Sequence, residues 1–178
     1  MFIELLRKRR SIRQYEAKAV ESEKVDLLVE AMLRSPSSRS LNPWEFVVIE
    51  DKEMIQDLAR SKPHGATFMQ NAPLAIAVCA NPEKCDVWIE DCSIAALNIH
   101  LAATDLDLGS CWIQIRMRDY DGETTAEDYV KEKLGLNAEM RVEAIVAIGY
   151  GKEDKPGHQL AVLPFDQVSY ERFGNRKP

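Results

Sequence analysis

The sequence predicts an α+β fold in which helices cover a single sheet. About four segments have the length and apolar content of strands, and other stretches repeat apolar residues at helical spacing. The helices are partly clustered instead of alternating strictly with the strands, which favours this class over a doubly wound dinucleotide-binding fold. No linker, internal repeat or break in composition divides the 178 residues. We therefore expect one domain over 1–178 with a substantial core.

The first part of the chain combines two helical patterns with one strand. Residues 1–9 alternate apolar and basic positions in a short helical pattern. An apolar stripe of helical spacing over 22–34 ends before Pro36. The apolar segment 44–49 follows as a strand. Asp51 then has the side chain and the position of an N-cap for a short helix.

The middle of the chain carries the most apolar segments. Residues 74–80 form a continuous apolar run between two proline-containing turns, which is typical of a strand buried on both faces. The stretch 86–105 is apolar or small on almost all sides, which indicates a helix buried in the core or in a subunit interface. Gly109 ends this helix, and 111–117 follows as a strand.

The last part of the chain contains one more helix, one more strand and a tail. Thr124 and Glu127 have the spacing of a capping box, and Gly135 marks the end of the helix that it opens. The apolar segment 143–150 is the last strand. The tail over 152–178 is polar at first and then regains spaced apolar side chains, so we expect it to pack on its own domain or on a neighbouring subunit.

Composition and charge exclude several classes of protein. No apolar run approaches the roughly 20 residues that a bilayer span needs, and the N-terminus has no apolar signal-peptide core, so a cytoplasmic location is expected. The formal net charge of −6 argues against a nucleic-acid partner. The cysteines lack metal-site spacing, which favours buried reduced thiols, with a redox dithiol or metal site as the alternative. They are Cys79, Cys85, Cys92 and Cys111.

A cationic segment near the N-terminus is the strongest functional signal. Residues 7–13 contain five Lys or Arg residues and Ser11, in a chain that is acidic overall. On residue types alone, a solvated helix end and a phosphate site remain open alternatives. One compact phosphate, such as that of a mononucleotide, fits this cluster better than a long nucleic acid.

Two other segments carry polar groups next to predicted strands, and other familiar motifs are missing. The loop 36–44 combines hydroxyls, a guanidinium and an amide, and the turn at 109–115 exposes backbone amides next to an aromatic side chain. Each alone is also consistent with an ordinary structural turn. The sequence 149–151 lacks the third glycine and helix of a dinucleotide loop. The histidines have no triad or metal spacing, and His100 is expected to be structural. A cofactor would therefore have to supply any chemistry.

Taken in order, the three segments resemble the nitroreductase family of FMN-dependent oxidoreductases over nearly the whole chain. Residues 9–13 resemble the family's arginine–serine signature, 36–44 its second signature, and 108–115 the segment beside the flavin ring. The residues that this resemblance assigns to FMN binding are Arg9, Arg10, Ser11, Arg13, Pro36, Ser37, Ser38, Arg39, Ser40, Asn42, Trp112, Ile113, Gln114 and Ile115.

The resemblance also implies a mainly antiparallel sheet and an intertwined homodimer with two FMN sites at its interface. In relatives, the second signature reaches the flavin held mainly by the other subunit. This chain departs from the pattern at 160–162, which is apolar where longer members carry a basic pair. Lys152 or Lys155 would then help the arginines to hold the phosphate. Gln114 falls where some relatives carry a glutamate near the flavin.

The function implied by the resemblance is electron transfer from NAD(P)H through FMN to a nitroaromatic, a quinone or another conjugated small molecule, in a ping-pong cycle. FMN carries the chemistry, so the resemblance assigns no catalytic side chain and no metal ligand. Two alternatives remain open at this stage. One is an FMN-binding or electron-relay protein without substrate turnover of its own. The other is a relative that dehalogenates its substrate or breaks down flavin.

Overall fold

An antiparallel sheet forms the centre of the fold, which confirms the predicted α+β class. The computed structural model describes residues 1–176, so the last two residues of the predicted tail and domain lie outside the described part. Within that part, the strands follow the order β1-β2-β4-β3 and every neighbouring pair is antiparallel. The strands are β1 (Trp44–Ile49), β2 (Leu74–Ala80), β3 (Gly109–Gln114) and β4 (Arg141–Gly149).

Strand order explains the burial of each strand. β2 and β4 occupy the middle of the sheet, and all of β2 is buried, as its unbroken apolar run predicts. β1 and β3 form the two edges, and each contains partly exposed residues. The edge position of β3 leaves one row of its backbone N–H and C=O groups without a partner strand in this sheet.

Helices cover both faces of the sheet and bury one hydrophobic cluster on each side. Side chains of α2 and α4 pack on one face, and side chains of α3 and α5 pack on the other. The short helix α1 has no buried residue and packs beside α4. The helices are α1 (Phe2–Lys8), α2 (Ser22–Leu33), α3 (Lys52–Leu58), α4 (Trp88–Asp105) and α5 (Ala126–Leu134).

Element boundaries agree with the sequence to within two residues except at β3 and at the cap of α5. Asp51 caps α3 by accepting a hydrogen bond from the Met54 amide, as predicted. β3 begins at Gly109 and ends at Gln114, not at 111 and 117, because the next two amides both turn towards the Glu143 carbonyl.

The second difference is the cap of α5. Thr125 caps this helix by accepting from the Asp128 amide, so the predicted box of Thr124 and Glu127 is wrong by one residue. Glu127 is instead buried, and it accepts hydrogen bonds from the Arg141 guanidinium and the Val142 amide. Gly135 ends the helix in the left-handed conformation, with φ of 65°, as its predicted role requires.

The tail runs along the outside of the domain with little regular structure. It contains two short 3₁₀ turns, Leu160–Val162 and Phe165–Gln167, and neither buries a side chain. Phe173 is 99% exposed. The tail therefore presents apolar side chains that this chain alone does not cover. Across residues 1–176, no helix combines the length and the apolar character that crossing a membrane requires.

Candidate functional site

The cationic segment lies against the edge strand β3. Ser11 forms a parallel bridge with Ser110, and the Ile12 amide donates to the Ser110 carbonyl at 3.0 Å. Gly109 makes this approach possible, because a Cβ at that position would lie 2.7 Å from the Cβ of Ile12. Two of the three segments found in the sequence are thus direct neighbours in the fold.

The remaining length of β3 offers an open row of backbone groups. Because backbone direction alternates along a strand, Trp112 and Gln114 point the same way as Ser110, towards the free edge. Lys62 Nζ donates to the Gln114 carbonyl from that side at 2.9 Å. Ile113 and Ile115 have buried side chains, and the Ile115 amide donates to the Glu143 carbonyl. The open edge therefore consists of the backbone groups of Trp112 and Gln114.

Three neighbours hold the side chain of Gln114, and one of them is the Glu143 carbonyl, to which Nε2 donates at 3.4 Å. Its Oε1 accepts from the Trp112 indole N–H at 3.0 Å, and its Nε2 donates to the Arg116 carbonyl at 3.0 Å. Both ends of the carboxamide have the partner that their chemistry requires. A glutamate at this position would lack the N–H donor that faces the Arg116 carbonyl.

The start of the tail pins the cationic segment from the other side. The Arg10 guanidinium donates to the Pro156 carbonyl, and the Arg13 amide donates to Glu153 Oε1 at 2.6 Å. Lys155 Nζ donates to the Ser11 carbonyl at 3.3 Å and forms an ion pair with Glu153 Oε2 at 2.8 Å. The assistance of Lys155 in holding a phosphate stays a prediction.

The other cations of the N-terminus differ in their surroundings. The Arg13 guanidinium lies over the Phe68 ring at 5.7 Å, and its charge acts to lower the pKa of the Cys111 thiol of β3. Arg7 and Lys8 are exposed and pair with Glu4 and Asp107 respectively. Arg7 and Lys8 are thus surface charges, whereas Arg13 keeps a guanidinium near the open edge.

Titratable groups around the edge respond to burial and to these cations. Burial, with a contribution from nearby Arg118, lowers the pKa of Lys62. Burial raises the pKa of the Cys111 thiol, and the charges of Arg13 and Lys155 oppose this rise. Burial is thus the largest influence on both groups, and the charges of Arg13, Lys155 and Glu153 all act on the Cys111 thiol.

Buried thiols and His100 have the structural character that the sequence predicts. All four cysteines are buried and free, and burial raises the pKa of Cys79 to about 12. His100 is buried on α4 with Nδ1 2.7 Å from Ser110 Oγ, and burial lowers its pKa to about 4. Residues 1–176 contain no cluster of His, Cys, Asp or Glu side chains suited to a metal ion.

The third segment, the loop 36–44, lies in a different part of the fold. It leads into β1, the opposite edge of the sheet from β3. Three strand spacings of about 4.8 Å separate the two edges. No hydrogen bond or ion pair in the described part of the chain joins this loop to 9–13 or to 112–115. One chain alone therefore brings together two of the three segments.

Sequence reasoning missed two residues that shape these sites. Lys62 follows α3 and reaches a carbonyl 52 residues further along the chain. Asp91 lies on α4 and accepts a hydrogen bond from the amide of Ser38 in the loop 36–44. Neither residue belongs to a recognisable sequence motif, so its contact is visible only in the folded chain.

Comparison with known proteins supports the resemblance found in the sequence. The model of the "Nitroreductase family" matches residues 6–64 and 56–150. A structure described as an FMN-dependent nitroreductase from Clostridium difficile R20291 is 46% identical, with a TM-score of 0.95, and the match covers 96% of this chain and 99% of that chain.

Two archaeal proteins extend the comparison to sequence relatives. Both bear the name "Putative NADH dehydrogenase/NAD(P)H nitroreductase" and both are 32% identical to this chain. The match with the Archaeoglobus fulgidus protein covers 86% of this chain and 87% of that protein. The match with the Methanothermobacter thermautotrophicus protein covers 96% and 87% respectively.

Proposed function

Since this chain belongs to the nitroreductase family, we propose that it is an FMN-dependent oxidoreductase that takes electrons from NAD(P)H. The acceptors in this proposal are nitroaromatics, quinones or other conjugated small molecules. The observation that carries the proposal is the cationic segment 9–13 lying along the open edge of β3.

The residues at this edge fit the two ends of FMN. The phosphate needs cations and hydroxyls, which Arg9, Ser11 and Lys155 offer. The polar rim of a flavin ring needs hydrogen-bond donors and acceptors. The backbone N–H groups of Trp112 and Gln114 on the outer side of β3 offer donors, while Lys62 Nζ already donates to the Gln114 carbonyl. When bound, FMN supplies the redox chemistry, accepting hydride from NAD(P)H and then reducing the second substrate.

The protein's own contribution is electrostatic and positional. Lys62 and Arg13 place positive charge beside the β3 edge, where it would stabilise negative charge gained during reduction. Lys155 and the tail contact of Arg10 would offset the missing basic pair at 160–162. No side chain is proposed to form a covalent bond with the substrate.

We further propose that the working protein is a homodimer whose loop 36–44 completes the site of the other subunit. Support comes from the position of this loop at the β1 edge, away from the cationic segment of its own chain. Exposed apolar side chains on α1, α4 and the tail supply surface for such a partner. They include Phe2, Leu6, Ile94, Leu97, Phe165 and Phe173.

The test of the proposed reaction is direct reduction of the FMN-loaded protein. It is mixed anaerobically with NADH and with NADPH in turn while the visible flavin absorbance is followed. We expect at least one donor to bleach it. If neither does while dithionite does, the nicotinamide-dependent reaction is wrong.

The electron-relay alternative calls for a second measurement. NAD(P)H oxidation is followed at steady state with menadione or a nitroaromatic present, and the rate is compared with that of free FMN. We expect faster turnover with the protein. A rate no faster than that of free FMN would favour a binding or relay protein.

The cytoplasmic location stays a prediction.

A further inference from the structure

Asp91 is a buried carboxylate with no role in the reaction proposed above. Its residue is 3% exposed, and it lies near the start of α4. Oδ1 accepts a hydrogen bond from the Ser38 amide at 2.8 Å, and Oδ2 accepts from the Cys85 thiol at 3.3 Å. A buried carboxylate is costly to the fold unless such partners compensate for lost water. Asp91 thus holds the loop 36–44 through Oδ1 and the segment before α4 through Oδ2.

The loop that Asp91 holds has an unusual backbone. Arg39, Ser40 and Asn42 have φ of 53°, 54° and 46°, in the left-handed region that residues other than glycine rarely adopt. Such backbone persists only where the surroundings enforce it. Within the loop, Ser37 Oγ donates to Asn42 Oδ1 and accepts from the Asn42 amide.

Helix α4 makes a second contact, with the residue just before this loop. Asn98 lies seven positions after Asp91, about two helical turns, and its Nδ2 donates to Ser35 Oγ at 2.9 Å. The side chain of Arg39 forms an ion pair with Asp86 on the surface of the protein. Asp91 is the contact that fixes the loop backbone itself, just before its left-handed residues.

We propose that Asp91 is a positioning residue that sets the conformation of the loop 36–44 for the cofactor site of the partner subunit. This inference rests on the proposed function. Without the carboxylate, the Ser38 amide loses its acceptor and the left-handed residues lose their anchor. The loop then relaxes towards ordinary backbone conformations, and its polar groups no longer face the partner's site together.

Two variants and a control test this role. Asp91→Ala removes both acceptors, whereas Asp91→Asn keeps a carbonyl oxygen for the Ser38 amide at nearly the same size. Asp26→Ala, on an exposed aspartate of α2, is the matched control. FMN affinity is measured by fluorescence titration, folding by circular dichroism and melting temperature, and exchange of the Ser38 amide by NMR in the FMN-free protein.

We expect Asp91→Ala to weaken FMN binding at least tenfold and to speed exchange at Ser38, with a folded spectrum. Asp91→Asn should restore both to within about threefold of wild type, in line with one retained hydrogen bond, and Asp26→Ala should change neither. Wild-type FMN affinity in Asp91→Ala would overturn the proposal, as would slow exchange at Ser38.

The design separates this proposal from the function on which it rests. If the wild-type protein does not bind FMN, the proposed function fails, while exchange at Ser38 still reports whether Asp91 orders the loop. Should Asp91→Ala not fold, Asp91→Ser replaces it, because a short hydroxyl keeps polarity in the buried position but cannot span both contacts. Unchanged FMN affinity and Ser38 exchange in a folded Asp91→Ser would overturn the role.

Discussion

Arg13 is the residue on which the proposed cofactor site depends most directly. Its guanidinium stays near the β3 edge over Phe68, while its amide is held by Glu153. We predict that Arg13→Ala weakens FMN binding by about 1.5–3 kcal/mol, the usual worth of a charge-assisted hydrogen bond. Equilibrium titration of the FMN-free protein, at one fixed salt concentration, measures the change.

The control for Arg13 is an arginine of the same segment that faces solvent. Arg7 is exposed, and its ion pair within residues 1–176 is with Glu4, one turn earlier in α1. Arg7→Ala should leave FMN affinity within a factor of two of wild type, because exposed ion pairs contribute little. Equal losses in both variants would mean that the segment attracts FMN by general charge and not through Arg13.

His100 makes the stability of the fold depend on pH in a defined window. Burial lowers its pKa to about 4, from a usual value near 6.5. Between these pH values His100 is protonated in the unfolded chain and neutral in the folded chain. The free energy of unfolding must therefore fall as the pH drops from about 6.5 to about 4. The full shift corresponds to about 3 kcal/mol.

Urea unfolding at pH 7, 5.5 and 4.5 measures this dependence. We expect His100→Gln to flatten the pH profile relative to wild type, whatever it costs at neutral pH by disturbing the contact with Ser110. His64→Gln, in an exposed turn, should keep the wild-type profile and serves as the control. Parallel profiles for wild type and His100→Gln would contradict a buried neutral imidazole.

At the scale of elements, the cap of α5 separates two adjacent threonines. Thr125 Oγ1 accepts from the Asp128 amide at 3.0 Å, and Thr124 makes no equivalent side-chain contact in the described structure. We predict that Thr125→Ala lowers the free energy of unfolding by about 0.5–2 kcal/mol, the usual cost of losing an N-cap. Chemical denaturation of both alanine variants checks this. A larger loss in Thr124→Ala would restore the capping box predicted from the sequence.

The elements that the sequence predicted best are those with strong local boundaries. β1 and β2 agree with prediction to the residue, because turn and proline residues bracket each apolar run. β3 and α5 differ, since their ends depend on partners elsewhere. The Glu143 carbonyl draws the amides of Ile115 and Arg116 and stops β3 early. Spacing alone cannot choose between two neighbouring threonines.

The candidate site could be predicted only where its residues follow one another in the chain. Arg13 and Gln114 belong to continuous segments of recognisable composition. Lys62 and Asp91 act on segments more than fifty residues away, and only the packing of α3 and α4 brings them there. The sequence predicted the polar loop 36–44, but not the helix contacts that hold it.

At the scale of the whole molecule, the distribution of apolar and charged surface favours the proposed homodimer. The chain is acidic overall, yet the cationic segment 9–13 lies against one edge strand of the sheet, while the loop 36–44 lies at the other edge. A symmetric dimer would bring the two edges of different chains together, and an isologous interface would form two equal sites. This arrangement would also cover the exposed apolar residues of α1 and α4.

The tail offers the clearest test of that arrangement. Leu160, Phe165 and Phe173 are exposed in the single chain, although burial of each would contribute roughly 1.5–3 kcal/mol. We predict that wild type elutes as a dimer of the 20.2 kDa chain, and that deletion of 160–178 raises the dimer dissociation constant at least tenfold and weakens FMN binding. Light scattering over a dilution series measures the first effect, and flavin titration the second.

Deletion of 174–178 is the matched control, because it shortens the tail without removing its apolar side chains. It should leave both constants near wild type. If the protein without 160–178 keeps its dimer and its FMN affinity, the tail does not pack on the partner. If it loses FMN while the dimer persists, residues 160–178 act within their own chain, by holding in place the preceding segment in which Pro156 and Lys155 contact Arg10 and Ser11.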